Sequence, residues 1–562
     1  MTRASSLVSQ IMLQIIQSPS LPLFTSLVLL VILAIYWKRF RSHTCPIDLR
    51  LPPGPWKLPL IGNLHQLAGS LPHHCLTDLA KKYGPIMHLK LGQVSTIVIS
   101  SPQLAEEVLK INKAAFSERP ALIAAAIFSY NCAGLIFVPD NDHWREMRKV
   151  CMLELLSAKR VRSFASIRNE EASSLVQSIS LSEGQPVNLS DLIFNMQNCI
   201  PARAALGKKC KHQQEFISLV EEMRTFVAGF DLPDLFPSLK FLRYVTGLKP
   251  AWEKVHRKMD RILEEVINDH REKRKAAFAS LSNKNNKESC HQEEEEEDLV
   301  DVLLQLQESG ELQIDLTSTI IKAVMLDLYF AGSETVAATT EWAMSELVRN
   351  PRAMEKAQAE VRHVVAGLGN EKKLEDEDMK KLDYLKLVIK ETLRLHPPLP
   401  LIPRQLAEAD DDDQSGLLFH KIGGYYIPSR SRVLINAWGI GRDPQYWENP
   451  DCFMPERFQG SRVDFRGNDF KFIPFGGGKR MCPGILFGTT SVELALAQLL
   501  YHFNWKLPPH SPPVVLKNAI NATEEEEEEE QQQLLQLDMT ESVTLAAVKK
   551  NDLYVIAIPF IP

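Results

Sequence analysis

Residues 471–484, KFIPFGGGKRMCPG, leave the chain fewer structural options than any other stretch. Glycines let the backbone turn with positive φ and approach a bulky, flat object closely. Pro483 suits the first position of a helix, where its missing N–H costs nothing, and the apolar Ile485, Leu486, Phe487 and the run 492–500 carry that helix on. Cys482 is therefore expected at a helix N-terminus, where the dipole and free N–H groups favour thiolate over thiol. A thiolate held this way is a metal ligand. A lone cysteine is more often a small buried hydrophobe. A phosphate loop is the other reading of GGGK, but it needs Ser or Thr after its Lys, and Arg480 stands there.

Phe475, Gly478, Arg480, Cys482 and Gly484 follow the pattern Phe, two residues, Gly, any, Arg, any, Cys, any, Gly. The loop thus resembles the cysteine-ligand loop of the cytochrome P-450 family, with every fixed position filled. The resemblance implies a mainly α fold with smaller β-sheets, the cytochrome P-450 fold. It implies haem b (iron protoporphyrin IX) as cofactor, with Cys482 on the iron and Phe475, Arg480 and Gly484 against the ring.

The 562 residues hold no internal repeat and no Pro/Gly/Ser-rich linker in the middle, which predicts one large catalytic domain. A net charge of -6 gives no reason to expect nucleic acid. Nine cysteines are scattered singly, with no CxxC pair, so a reducing compartment is expected around that domain.

The N-terminus poses a different solvent problem. No charged side chain lies between Arg3 and Lys38, and residues 21–37 (LPLFTSLVLLVILAIYW) are almost wholly apolar. At about 1.5 Å rise per residue they just reach across a bilayer. Ile35, Tyr36 and Trp37 are too bulky for a signal-peptide cleavage site, and Lys38, Arg39 and Arg41 follow at once. The expected organisation is a lumenal N-terminus (1–20), a transmembrane signal-anchor helix (21–37), a basic and proline-rich hinge (38–60) and a haem-thiolate monooxygenase domain (61–562). By the positive-inside rule that domain is expected in the cytosol on a single-pass anchor, and the resemblance implies that the membrane is that of the endoplasmic reticulum. The stretch LPPGPWKLPL in 51–60 cannot be helical and serves as a stiff spacer, similar to the hinge of the family's microsomal plant members. Residues 88–100 read as a hairpin near the membrane end, and 235–245 (LFPSLKFLRYV) as further apolar surface there.

The remaining motifs gain meaning beside the cysteine loop. Trp144 and Arg148 share a helix face at i, i+4, and in the family such a pair is offered to the haem propionates. A long helix is predicted from Leu316 to Arg349, bounded by Asn350-Pro351. Inside it, Gly332 costs about 1 kcal/mol relative to alanine, which suggests a use. The resemblance implies that Ala331 and Gly332 lie against cofactor and dioxygen, that Glu334 and Thr335 deliver protons, and that Leu326 and Phe330 face the substrate. Glu391 and Arg394, with Arg457 from Pro455-Glu456-Arg457-Phe458, match the family's buried structural triad. Residues 396–404, HPPLPLIPR, would line the pocket with Leu401 and Ile402 and give Arg404 to a propionate. Near the C-terminus, Val543 and Thr544 stand where relatives carry Phe-Gly in a pocket-lining turn. Acidic runs at 293–298, 410–413 and 524–530 read as solvated insertions.

Together these features imply a haem-thiolate monooxygenase that inserts one atom of dioxygen into a C–H bond of a hydrophobic substrate. The chain has no GxGxxG fingerprint, so electrons are expected from NADPH through a separate membrane-bound reductase, docking near Lys479 and the Trp144 helix. A haem-thiolate isomerase or dehydratase is the alternative, and Thr335 speaks against it. The stretches CMLELLSAKRVRSF and HPPLPLIPR look most like plant family 71, subfamily D, which implies a terpenoid substrate; a fatty acid, phenolic or alkaloid is the alternative.

Overall fold

The computed structural model describes residues 50–561, apart from 183, 208–210, 225–230, 283–296, 368–373, 375, 408–418, 509–536 and 545. The expected membrane span at 21–37 and the acidic runs at 410–413 and 524–530 lie outside the described residues, as does most of 293–298. Among the described residues, no helix is long and apolar enough to cross a membrane.

The elements that position the site are, in chain order, α1 (Pro72–Tyr83), α2 (Asp142–Val150), α3 (Leu189–Leu206), α4 (Ser318–Arg349), α5 (Asp383–Leu395) and α6 (Ile485–His502). The strands are β1 (Ile86–Leu91), β2 (Val94–Ile99), β3 (Pro186–Asn188), β4 (Leu401–Gln405), β5 (Phe419–Ile422), β6 (Tyr425–Pro428), β7 (Arg432–Asn436), β8 (Phe503–Lys506), β9 (Glu541–Val543), β10 (Ala547–Lys549) and β11 (Tyr554–Pro559).

The hairpin read from the alternating, β-branched segment forms as β1 and β2, paired antiparallel from Ile86 with Ile99 to Leu91 with Val94. It is the edge of a four-stranded sheet ordered β1-β2-β7-β4, in which β2 and β7 run parallel and β7 and β4 antiparallel. Gly92, at φ +60, makes the hairpin turn, and a Cβ there would lie 2.6 Å from the Leu235 carbonyl oxygen. No side chain fits between the hairpin tip and the segment that begins at Leu235.

Helix α4 starts two residues later than Leu316, because Thr317 caps it by accepting from the Ile320 N–H. It ends at Asn350, where Pro351 opens the next helix. Helices α3 and α6 pack on it at Gly332: a Cβ there would touch Phe487 of α6 at 3.5 Å and Pro201 of α3 at 3.7 Å. Those are ordinary contacts, so an alanine would fit there and helix packing alone does not require the glycine. A large apolar cluster surrounds this crossing, with Ile200, Tyr329, Val336, Phe487 and Leu496 all buried in it.

Helix α6 corrects one expectation. It begins at Ile485 with Gly484 as its N-cap, so Pro483 lies before the helix and not in its first turn. The Gly484 N–H, one of the donors left free at the helix start, is directed at the Cys482 sulfur. The first helical bond accordingly runs from the Gly488 N–H to the Gly484 carbonyl at 2.9 Å.

Candidate active site

The cysteine loop is held by its own backbone. The Cys482 N–H donates to the Phe475 carbonyl at 3.0 Å, closing the loop over the glycines. Gly476 and Gly478 lie at φ +73 and +66, and a Cβ on Gly478 would sit 1.8 Å from the Leu109 carbonyl oxygen. Gly484 differs, with φ at −91 and room for a Cβ at 3.9 Å from the Cys482 sulfur. Cys482 is deep in the molecule yet keeps an accessible face. Burial pushes its thiol above the ordinary value, while the Gly484 N–H and the charge of Arg148 pull it down. The helix begins later than expected, yet a free N–H at its start, that of Gly484, still favours the thiolate. A cation against the sulfur is what would tip that balance.

Four arginines from four segments meet beside this loop. Arg148 of α2 donates from Nη2 to the Met481 carbonyl at 2.7 Å, and Arg480 donates from Nη2 to the Val138 carbonyl at 2.6 Å. Arg119 and Arg404 both donate from Nη1 to the Pro403 carbonyl at 2.9 Å. Burial first, and then the charge of neighbouring arginines, hold Arg119 and Arg404 below the ordinary guanidinium range. The buried Nε and Nη1 of Arg480 and Nε of Arg119 have no partner among the described residues. Trp144, buried at 2% exposure, forms the floor, with the Arg480 guanidinium 4.6 Å and the Arg148 guanidinium 5.6 Å from its ring. Unpaired buried donors with converging positive charge call for an anion with several oxygens. The carboxylates of haem fit that cradle, and the cysteine loop fits its iron. Arg119 was missed in the sequence; an arginine within the mostly apolar AAFSERPALIAAAIF was the available signal.

Helix α4 supplies the opposite wall. Between Ile321 and Leu347 every residue is buried except Leu328, Ala331, Gly332 and Thr335. Those four fall at i, i+3, i+4 and i+7, one continuous face of a helix otherwise enclosed. The Thr335 hydroxyl donates to the Ala331 carbonyl at 2.6 Å, and Glu334, at 4% exposure, accepts from the Thr544 hydroxyl. Leu326 lies on the opposite side of the helix, fully buried, and Phe330 packs on Tyr329 in the core. The structure brings neither to the open face; Leu328 holds that position. Of the other expected pocket residues, Leu401 and Val543 are half-buried, while Ile402 is enclosed in the apolar cluster of the sheet.

Asp327 is a second residue that the sequence did not single out. It is buried, its carboxylate accepts from the N–H groups of Leu135 and Ile136, and burial pushes it up to about 6. A Cβ on Gly134 would come within 2.2 Å of that carboxylate. The bond fastens α4 to the segment leading into α2.

Behind the cysteine loop, Glu391 of α5 accepts from Arg394 at 2.8 Å on both oxygens and from Arg457 Nε at 2.9 Å. Glu391 and Arg394 are wholly buried side by side, as the triad reading required. Lys479 forms an ion pair with Asp140, so it is not a free cation for a docking partner.

A family model described as Cytochrome P450 matches residues 52–527. The chain is 48% identical to a melianol synthase of Azadirachta indica, over 97% of this chain and 98% of that protein. It is 45% identical to the premnaspirodiene oxygenase of Hyoscyamus muticus, over 94% and 95%. A zebra fish cytochrome P450 solved with progesterone superposes with a TM-score of 0.68 at 22% identity, over 88% of this chain and 100% of that one, a likeness of fold.

Proposed function

The chain belongs to the cytochrome P450 family, and from that premise we propose that it hydroxylates a terpenoid at the endoplasmic reticulum membrane, with haem b as cofactor and NADPH as the ultimate electron source. As a member of the family it is a monooxygenase that uses haem, dioxygen, a hydrophobic substrate and electrons from a reductase. The terpenoid reading rests on the relatives named for melianol and premnaspirodiene. The observation that carries the chemistry is the open face of α4, which holds the Thr335 hydroxyl, with the buried Glu334 next to it in the chain.

Haem, when bound, supplies the iron at which dioxygen is activated. Cys482 would hold that iron, and Trp144, Arg119, Arg148, Arg404 and Arg480 the propionates. Ala331, exposed on the open face with Gly332 half-buried beside it, would leave room there for the ring. Leu328, Leu401 and Val543 would border the substrate and exclude water. Thr335, backed by Glu334, would pass on the protons that dioxygen reduction consumes; overall, substrate, dioxygen, NADPH and one proton give alcohol, water and NADP⁺. A panel of terpenoids screened for shifts of the haem absorption band, then for product with NADPH and reductase, tests this reading. Shifts confined to fatty acids or phenolics would overturn the substrate class.

Thr335→Ala tests the proton path. Alanine suits a helix at least as well as threonine, so haem content and substrate binding should stay near those of the parent. Product should fall by about 10²-fold or more, the usual contribution of a proton-transfer group, while NADPH consumption falls far less and hydrogen peroxide makes up the difference. The hydroxyl also bonds back to the preceding turn. If that bond were its whole purpose, product and NADPH use would decline together with stability.

Membrane contact should extend beyond residues 21–37. Trp56, Leu60 and Ile61 are exposed, as are Leu239, Phe241, Tyr244 and Val245. The hairpin tip links them: the Gly92 N–H donates to the Ile61 carbonyl at 3.2 Å and the Gln93 N–H to the Leu235 carbonyl at 2.8 Å. Two apolar groups brought to one hairpin favour an interface. Deleting residues 1–50 should therefore release the protein from membranes only in part; wholly soluble, monomeric protein at low salt would show that the anchor alone holds it there.

A further inference from the structure

The C-terminal turn between β9 and β10 is where this chain departs from the pattern of its family, with Val543 and Thr544 in place of Phe-Gly. The structure gives that departure a consequence. The Thr544 hydroxyl donates to Oε1 of Glu334, the carboxylate next to Thr335 on α4. We propose that Thr544 is a positioning residue: carried on the turn that walls the pocket, its hydroxyl holds the Glu334 carboxylate in place for proton delivery. The proposal rests on the reading of Glu334 as part of the proton path.

Three features make this more than a chance contact. A carboxylate at 4% exposure is costly to keep charged without donors, and a hydroxyl supplies one that can rotate to suit. The alternative acceptor for Thr544, the Ala546 carbonyl, is 3.5 Å away, so the stronger bond is to the acid. The turn that carries Thr544 is itself fixed at both ends. At one end Glu541 accepts from His73 Nε2 at 2.8 Å and His74 Nε2 at 3.1 Å, with His396 Nδ1 at 3.4 Å. At the other end the Trp342 indole donates to the Ala547 carbonyl at 3.0 Å, and the Ala547 N–H to the Pro398 carbonyl at 2.8 Å. With both flanks pinned, the hydroxyl is kept within reach of the Glu334 carboxylate.

Thr544→Val keeps the shape and removes the hydroxyl; Thr544→Ser restores it without the methyl. Each would be made in the full chain, loaded with haem and supplied with reductase, NADPH and premnaspirodiene as the probe. Product formed per NADPH should fall about tenfold in Thr544→Val, the scale of a lost hydrogen bond to a charged group, with hydrogen peroxide rising to match. Thr544→Ser should restore most of it, and the Thr544→Val, Glu334→Gln double variant should be no worse than the worse single one. Independently of turnover, amide exchange in residues 541–547 should quicken to the same degree in Thr544→Val and in Glu334→Gln. Should Thr544→Val fail to retain haem, Thr544→Ala removes the same hydroxyl with less bulk and is read in the same way. Uncoupling in Glu334→Gln but not in Thr544→Val would overturn the role of Thr544 alone. Full coupling in Glu334→Gln would remove Glu334 from the proton path, and the role of Thr544 with it.

Discussion

Cys482→Ala is expected to abolish both turnover and the thiolate-type band of the reduced carbon monoxide complex, and to leave the polypeptide folded. The loop does not need the sulfur for its shape, since its closing bond is the backbone pair from Cys482 to Phe475 and its bends are Gly476 and Gly478. Alanine fits that backbone, and the substitution takes away only what the sulfur shares with the Gly484 N–H and the Arg148 charge. Neither Cys151 nor Cys199 can take over. Cys151 is wholly buried with its thiol pushed up to about 12, and Cys199 is pushed up to about 11, first by burial. Both are inert by the criterion that thiolate and access make a ligand. Cys482→Ser, with a hard oxygen where soft sulfur stood, should behave almost as badly. A normal band near the thiolate-type wavelength in Cys482→Ala would sink the assignment, and absorption of the reduced, carbon monoxide-treated protein decides it.

What could be read from the chain without its structure follows from how local each signal is. The cysteine loop was legible because its glycines, arginine and cysteine act within a span of ten residues, from Phe475 to Gly484. The start of α4 was read at Leu316 because the Thr317 cap was not singled out, whereas its C-terminal end was legible because an Asn-Pro stop is local chemistry. The β1–β2 hairpin was legible for the same reason. Its pairing with β7, more than 300 positions later, was not, since nothing in either segment names its partner.

The pocket face of α4 escaped for a different reason. Helical periodicity identifies an inner face by contrast with a polar outer one, and α4 is buried on almost every side. Leu326 and Leu328 are therefore equivalent in the sequence, and only the packing of α3 and α6 around the helix leaves Leu328, Ala331, Gly332 and Thr335 open. Arg119 and Asp327 escaped because their meaning lies in partners far along the chain. Arg119 counts only when Arg148, Arg404 and Arg480 arrive around it. Asp327 counts only when the backbone at 135–136 is brought to it.

Glu391→Ala is expected to cost the protein its stable, haem-retaining form. Glu391 accepts four hydrogen bonds: two from Arg394, one from Arg457 Nε and one from the Met454 N–H. Removing it strands Arg394 at zero side-chain exposure, and leaving one partner of a buried ion pair uncompensated costs about 3–5 kcal/mol. That is a large share of the ~5–15 kcal/mol that holds an ordinary domain together. The damage should reach the cysteine, since Arg457 fixes the turn Pro455–Phe458 and the Phe458 ring packs on Phe472 at 5.1 Å. Phe465 then links Phe472, at 6.2 Å, to Phe475, at 5.1 Å, whose carbonyl holds Cys482. Arg457→Ala should cost less, because it leaves the Glu391–Arg394 pair intact. Glu391→Asp should also fail, because one methylene less cannot meet Arg394 and Arg457 together. Haem content per polypeptide and thermal unfolding of the three variants give the order: Arg457→Ala above Glu391→Asp, and Glu391→Ala lowest. Parent-like haem content and melting in Glu391→Ala would mean that the triad does not support the loop.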